Sequence, residues 1–248
     1  MTLTRLPAAF SLIIWAAIWE LVGRYGGIDL IPPLSQIFAA AIELATLSKF
    51  HKALALTGEA FAIGLGLAIL IGIPAGIFMG LSRVAANMGN LWVNIFISAP
   101  LSAFVPALMP LLGIGQTTVV ATVFLFSVWV ILIDTQAGIR TVNRSLVDMA
   151  RSFGATRWQI YYKVMFLAAL PEILTGLRMG VIRGARGVII GQLIVALIGF
   201  GELFDLYLGN FLMDRFWALV FIIFGLAFVL VQAMVMLEQK FEFYAGVR

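Results

Sequence analysis

The sequence predicts an all-α, polytopic membrane protein with about six transmembrane helices, and three observations carry that prediction. The 248 residues are 62% hydrophobic and only 11% charged, where a soluble domain carries about 25% charged residues. Apolar runs repeatedly reach the roughly 20 residues an α-helix needs to cross a bilayer. A large soluble core would not need runs of that length. Basic residues are also segregated. Threading the runs alternately through a membrane puts nine Lys and Arg on one side and four on the other, the asymmetry that marks a cytoplasmic face.

The first run, Leu6 to Gly23, follows Arg5 and could be a signal peptide. Trp15, Trp19 and Glu20 stand where a small-residue cleavage site belongs, so it reads as a retained span. Pro32 and Pro33 then break the chain, and Ser35 to Leu47 has the pattern of an amphipathic interfacial helix. The second span, near Leu54 to Leu81, carries Gly72, Gly76 and Gly80 at four-residue spacing. That spacing lines small residues along one helix face, where another backbone can approach; glycine is also simply common in membrane helices. Pro74 is expected to kink this span. The third span, Leu91 to Leu112, contains Pro100, Pro106 and Pro110, and the carbonyls they free need protein or a water-filled cavity around them. Gly113 to Gln116 makes a tight turn. Spans four to six are read near Thr118–Gln136, Pro171–Leu197 and Phe216–Leu237. The whole chain, 1–248, reads as one transmembrane domain.

An even number of spans places both termini on one side. With that side cytoplasmic, it holds Arg5, Arg83, Arg140, Arg144, Arg151, Arg157, Lys163, Lys240 and Arg248, against Arg24, Lys49, Lys52 and Arg215 outside. Five of the nine lie between spans four and five, in a cytoplasmic loop of about 139–168. That loop is longer than a connection between two spans requires. Its composition is helical on both sides of Gly154, where glycine supplies a turn or a close backbone approach. A short helix, a bend and a second short helix follow. Trp158, Tyr161 and Tyr162 beside basic residues would also suit an interfacial helix anchored to lipid.

The composition excludes several kinds of chemistry. With no Cys there are no disulfides and no thiol chemistry. The single His, His51, cannot build a zinc cluster, and any Ser-His-Asp triad would have to use it. No catalytic residue, metal site or nucleic-acid interface is expected. No G-x-x-x-x-G-K-[ST] phosphate loop occurs, so the chain cannot cradle ATP itself.

The stretch "DMARSFGATRWQIYYKV" resembles the EAA loop of the permease subunits of binding-protein-dependent ABC importers. Asp148, Met149 and Ala150 occupy the Glu-Ala-Ala places, and Gly154 falls at the family's distance. Val164 and Pro171 match the usual "VxLPAALP" ending, with Leu167 in place of its first proline. "TQAGIR", "LLGIGQ", "IGIPAGIFMGLSR", the Trp19–Glu20 pair and the double proline are similar, in order, to segments of taurine, sulfonate, nitrate and bicarbonate-type permeases. The resemblance implies a type I ABC importer permease fold in a bacterial inner membrane. It implies a transport subunit rather than an enzyme, with ATP and Mg bound by a separate ATPase. It further implies a second copy of this chain, two ATP-binding cassette subunits and an extracytoplasmic substrate-binding protein as partners. In that reading the loop holds a coupling helix: Asp148 and Ala150 meet the ATPase, Gly154 gives the bend, and Phe153 and Trp158 fill apolar parts of its groove.

Charged groups inside spans are costly and point to function by default. In span five Arg178 reads as snorkelling to the interface. Arg183 and Arg186, three apart, share a helical face. With Gln192 and with Ser102 of the proline-rich third span they are assigned to a substrate path. The family often keeps a base at the place of Arg183 and has Glu at the place of Gln192, so this span is more positive than usual and an anionic solute is expected. An ion pair with Asp134 is the structural alternative. Glu172 fits the first turn of a helix opened by Pro171. Residues 201–214, with three acids, read as an outer loop, either solvated or a docking surface for a binding protein. The competing reading is an ion-coupled secondary transporter, with Asp134 as the best candidate relay acid and inverted halves expected; no such repeat is visible. A membrane-embedded hydrolase lacks a nucleophile–base pair.

Overall fold

The computed structural model describes the backbone of residues 6–245 and the side chains of residues 10–240. Arg5 and Arg248, two of the nine basic residues counted above, lie outside these ranges. The chain forms α1 (Leu6–Tyr25), α2 (Leu34–Thr46), α3 (Ser48–Leu81), α4 (Arg83–Ser98), α5 (Phe104–Leu112), α6 (Gln116–Thr141) and α7 (Arg144–Ser152). Then come α8 (Arg157–Ala168), which contains a π-helical turn, α9 (Leu170–Val195), α10 (Gly199–Gly209) and α11 (Met213–Ala245). A 3-10 turn, Leu101–Ala103, lies between α4 and α5, and no strand occurs among the described residues.

The core of the bundle is α6, held between α3 and α9. Glycine faces make this possible. On α3, a methyl at Gly64 would stand 2.6 Å from Val123 Cβ, at Gly76 2.6 Å from Leu132 O, and at Gly80 2.6 Å from Ile139 Cβ. The stripe expected at Gly72, Gly76 and Gly80 is therefore a packing seam, and it extends up the helix to Gly64. On the other side α9 presents Gly176, Gly180 and Gly184 to Asp134, Ile131 and Ser127. This second seam was equally legible in the sequence at four-residue spacing, behind the arginines that drew the reading of that span. Close approach lets Ser127 Oγ donate across the seam to Gly180 O at 2.9 Å.

These contacts also fix helix directions. Along α3 and α6 the paired residues rise together, Gly64 with Val123 and Gly80 with Ile139, so the two helices are parallel. The chain must therefore cross the bundle between them. Residues 83–112 do so as a broken span, α4 and α5 meeting at 85°. The third span was expected over Leu91 to Leu112. It starts instead at Arg83 and breaks where Ala99 is held extended (φ −70°, ψ 144°) ahead of Pro100, as the residue before proline prefers. Pro74 does not end α3, which runs unbroken for 34 residues from Ser48, not Leu54. Along α9 the pairing with α6 runs backwards, so α9 is antiparallel to it. Residues 142–169 thus leave and re-enter at one end, and α8, bent 59° from α9, lies outside the span.

Among the described residues three helices are long and apolar enough to cross a membrane, or five spans if each bent pair counts as one; side-chain contacts place α1 and α11. In α11, Glu238 reaches back to Thr175 and Arg178 near the start of α9, at 2.9 Å each. Its other end carries Arg215, paired to Glu43 of α2 at 2.7 Å. Trp19 packs edge-on to Trp217 with ring centroids 5.1 Å apart and donates to Pro32 O at 3.2 Å. Glu20 accepts from Ser35 N at 2.9 Å and from Arg24 at 2.6 Å. Trp19, Glu20 and Pro32 pin the C-terminal part of α1, a 20-residue helix, to this end of the bundle, whereas α11 finishes on the side of the 142–169 loop. The expected outer loop of 201–214 is in large part helical: residues 201–209 belong to α10. Phe200, Leu203, Phe204 and Tyr207 bury one face of it against α2, α3 and α11, and Glu202 and Asp205 remain exposed on the other.

The seam makes a direct prediction. Gly76→Ala should destabilise the folded protein by roughly 1–3 kcal/mol, the usual cost of overpacking. Gly66→Ala, in the same helix with nothing within 4 Å of the added methyl, should be neutral or stabilising by up to about 1 kcal/mol. Thermal unfolding of the purified membrane protein in detergent compares the two; equal effects would remove the seam as the organising contact.

Candidate functional site

The 142–169 loop is built from local signals. Asn143 caps α7, its Oδ1 accepting from Ser145 N at 3.0 Å. Helix α7 ends in a Schellman motif. Ala155 N donates to Ala150 O at 3.0 Å and Gly154 N to Arg151 O at 2.9 Å, with Gly154 left-handed at φ 77°. No other part of the chain comes within 4 Å of a methyl built at Gly154. Of the two uses expected for this glycine, the turn is the one realised. Thr156 and Gln159 then form a capping box that starts α8. That T-x-x-Q signature was readable in the sequence and passed over.

The bend displays two aromatic side chains. Phe153 is 85% exposed and Trp158 80% exposed, with Tyr161 edge-on to Trp158 at 6.4 Å. Asp148 is also exposed, and its nearest cation is Arg151 at 3.4 Å within α7. A pair so solvated contributes little, so Asp148 is free to exchange partners. Ala150, grouped with these residues from the sequence, is buried at 9% exposure and faces inward. It accepts the Schellman bond at its carbonyl and offers no outer surface. Four of the five residues expected to meet a partner therefore share one exposed bend, and the fifth supports it.

The loop is tied to the bundle at both ends. A methyl at Gly138, near the end of α6, would meet Glu172 Cβ at 2.8 Å and Ala169 O at 3.1 Å. Arg178, expected to snorkel, is held instead by Glu238 at 2.9 Å, and Glu238 is itself buried. Nothing in the reading of the sequence marked Glu238, because its partner lies 60 residues away.

The residues assigned to a path separate into two groups. Gln192 is fully buried. Its Oε1 accepts from Thr57 Oγ1 at 3.0 Å and from Phe200 N at 3.1 Å, and its backbone carbonyl takes Ala196 N at 2.7 Å. Gly199 and Gly201 pack directly on it. Gln192 thus joins α3, α9 and α10. Arg186 is exposed and Arg183 half-buried, and neither has an ion pair or side-chain hydrogen bond among the described residues. Asp134 forms no ion pair with Arg183 among them. Ser102 is exposed in the 3-10 turn, which touches α9. Arg183, Arg186 and Ser102 thus belong to adjoining elements.

Comparison with known proteins agrees with this geometry. Residues 68–243 match the family described as "Binding-protein-dependent transport system inner membrane component". The chain is 31% identical over 176 residues to the taurine transport system permease protein TauC of Escherichia coli, covering 69% of this chain and 64% of that protein, just under two thirds of its length. It is 26% identical over 231 residues to the bicarbonate transport system permease protein CmpB of a Synechocystis species, covering 88% and 82%. The solved structure of the MetNI methionine ABC transporter, in inward-facing conformations, superposes with a TM-score of 0.63 at 19% identity, over 78% of this chain and 94% of that chain. That likeness concerns the fold.

The Gln192 staple yields a prediction. Gln192→Leu leaves Phe200 N without its acceptor, whereas the Thr57 hydroxyl keeps Ala53 O at 2.8 Å; the expected cost is roughly 1–3 kcal/mol. Lower thermal stability and lower yield of folded protein are expected. Unchanged stability with a changed solute preference would return Gln192 to the path.

Proposed function

This chain belongs to the family of binding-protein-dependent transport system inner membrane components, and we propose that it is the permease subunit of an ABC importer that couples ATP hydrolysis by partner ATPases to uptake of a small anionic solute. The observation that carries the proposal is the preformed helix–turn–helix at 144–168, with Phe153 and Trp158 exposed on its bend. Exposed aromatics on a rigid mount are the anchors a protein interface uses. They sit beside the exchangeable Asp148, at the end of the bundle where α6 ends and α9 begins.

In this reading an ATP-binding cassette subunit receives the bend, and ATP and Mg stay in that subunit. Two copies of this chain and two ATPases form the transporter, and an extracytoplasmic binding protein delivers the solute. The multi-pass chain lies in a bacterial inner membrane with both termini cytoplasmic. Charge supports that orientation: Arg83, Arg140, Arg144, Arg151, Arg157, Lys163 and Lys240 gather at the loop end, against Arg24, Lys49, Lys52 and Arg215 at the other. The uncovered arginines of α9 favour a solute with a sulfonate, carbonate or similar group, in keeping with relatives named for taurine and bicarbonate. The family match favours this reading over an ion-coupled secondary transporter. So does the site of Asp134, which packs on Gly176 in the loop-side half of the bundle.

Two experiments test the proposal. Phe153→Ala with Trp158→Ala should cost about 2 kcal/mol or more per anchor, so the ATPase should no longer co-purify while the permease stays folded. Gly154→Ala should act more mildly, because its cost is confined to about 1–2 kcal/mol of left-handed backbone strain. Retention of the ATPase by the double variant would refute the coupling role. Arg186→Gln should reduce solute uptake into reconstituted vesicles and leave basal ATP hydrolysis intact; normal uptake would remove the anionic path.

A further inference from the structure

A groove of about 880 Å³ lies at the loop end of the bundle, between the α3–α4 turn, the end of α6, α7 and one side of α8. Its size falls in the range of roughly 300–1,000 Å³ typical of small-molecule sites. Arg83, Arg140, Arg144 and Arg151 line it, against one acid, Asp148. Arg151 has Asp148 as partner, but Arg83, Arg140 and Arg144 have no ion pair or side-chain hydrogen bond among the described residues. Arg83 and Arg144 are also the first residues of α4 and α7, so two helix N-termini add partial positive charge. Arg140 ends α6, where it offsets the opposite partial charge and has a second reason to be there.

We infer that this groove binds the phosphate-bearing headgroup of an anionic membrane lipid. Its lining joins guanidinium groups to apolar side chains, Leu81, Ile139 and Met165 among them. That combination suits a ligand with a charged phosphate and a greasy continuation. Its depth along the bundle fits as well, because α3 and α6 leave their apolar stretches at Gly80 and Ile139, both of which line it. Phe153 and Trp158, the aromatic side chains proposed to meet the ATPase, do not line it, whereas Asp148, beside them in that reading, does. A bound headgroup would bridge the α3–α4 turn to α7, and so hold the loop against the bundle. The inference goes beyond the import reading and needs only that this end of the bundle meets a headgroup layer.

The test uses the full transport complex, delipidated and then incubated with phosphatidylcholine vesicles with and without phosphatidylglycerol. Bound lipid is counted by mass spectrometry, and ATPase co-purification is followed in parallel. Wild type should retain phosphatidylglycerol in preference to phosphatidylcholine. Arg83→Gln and Arg144→Gln should each weaken that retention about five-fold, the factor expected for one basic residue at an anionic surface. Arg144→Lys should keep most of it. Arg157→Gln, exposed on the same loop but outside the groove, should leave it unchanged. Equal loss with Arg157→Gln would reduce the effect to general surface attraction and overturn the site. Displacement of the lipid by inorganic phosphate at physiological concentration would make it a free-phosphate site instead. Unchanged lipid with loss of the ATPase from Arg83→Gln or Arg144→Gln would make the groove a protein interface. ATPase loss from Phe153 and Trp158 variants alone bears on the import reading, so the two ideas fail separately.

Discussion

The closeness of α6 to its two neighbours is the constraint on which the rest of the structure depends. In a bilayer, helices gain little from burying apolar surface, because lipid is as apolar as leucine. Association rests on dispersion contacts and on the few polar bonds made when backbones come near. Here both neighbours give up side chains along whole faces, at Gly64, Gly76 and Gly80 on α3 and at Gly176, Gly180 and Gly184 on α9. The Ser127–Gly180 bond exists only because of that approach. The parallel and antiparallel directions set by these seams then require the broken α4–α5 span and return the 142–169 loop to one end.

That arrangement makes the loop a mechanical extension of the bundle. Its first helix follows α6, and its second runs into α9 through a 59° elbow. Gly138 lets α6 meet Ala169 and Glu172 at the foot of α9, so the two roots of the loop touch. The Arg178–Glu238 pair fastens α11 at the same level. A force on the exposed bend thus reaches the two most central helices directly. The Schellman turn and the capping box give the bend its shape without help from the rest of the chain, so a partner meets a surface already formed.

Polar groups in the spans divide by what they touch. Gln192 Oε1 accepts from Thr57 and from the Phe200 amide where three helices meet, and the side chain that looked exceptional for its position is a staple. Among the described residues Arg186 touches nothing that neutralises it. A guanidinium at membrane depth costs roughly 2.5–3.5 kcal/mol on insertion scales, so it needs water, an anion or a second copy of the chain beside it. Ser102, on the sharp elbow of the broken span, lies on the adjoining element.

Much of this was legible in the sequence because it depends on short-range rules. Run length announced the spans that α3, α4–α5, α6, α9 and α11 provide. Gly72, Gly76 and Gly80 announced a seam, and Asn143, Gly154 and the T-x-x-Q of Thr156 encode the loop residue by residue. These features are decided within one or two helical turns, by backbone geometry and by the cost of leaving peptide groups unpaired. Only the tertiary structure decided that Gln192 and Arg186, six residues apart on one helix, face opposite fates. It alone paired Arg178 with Glu238, turned Ala150 inward and made residues 199–209 a packed helix. Each of those outcomes depends on which distant segment arrives at a given face. A single sequence records the face but not its occupant, because helix-to-helix contact is set by the summed fit of whole surfaces.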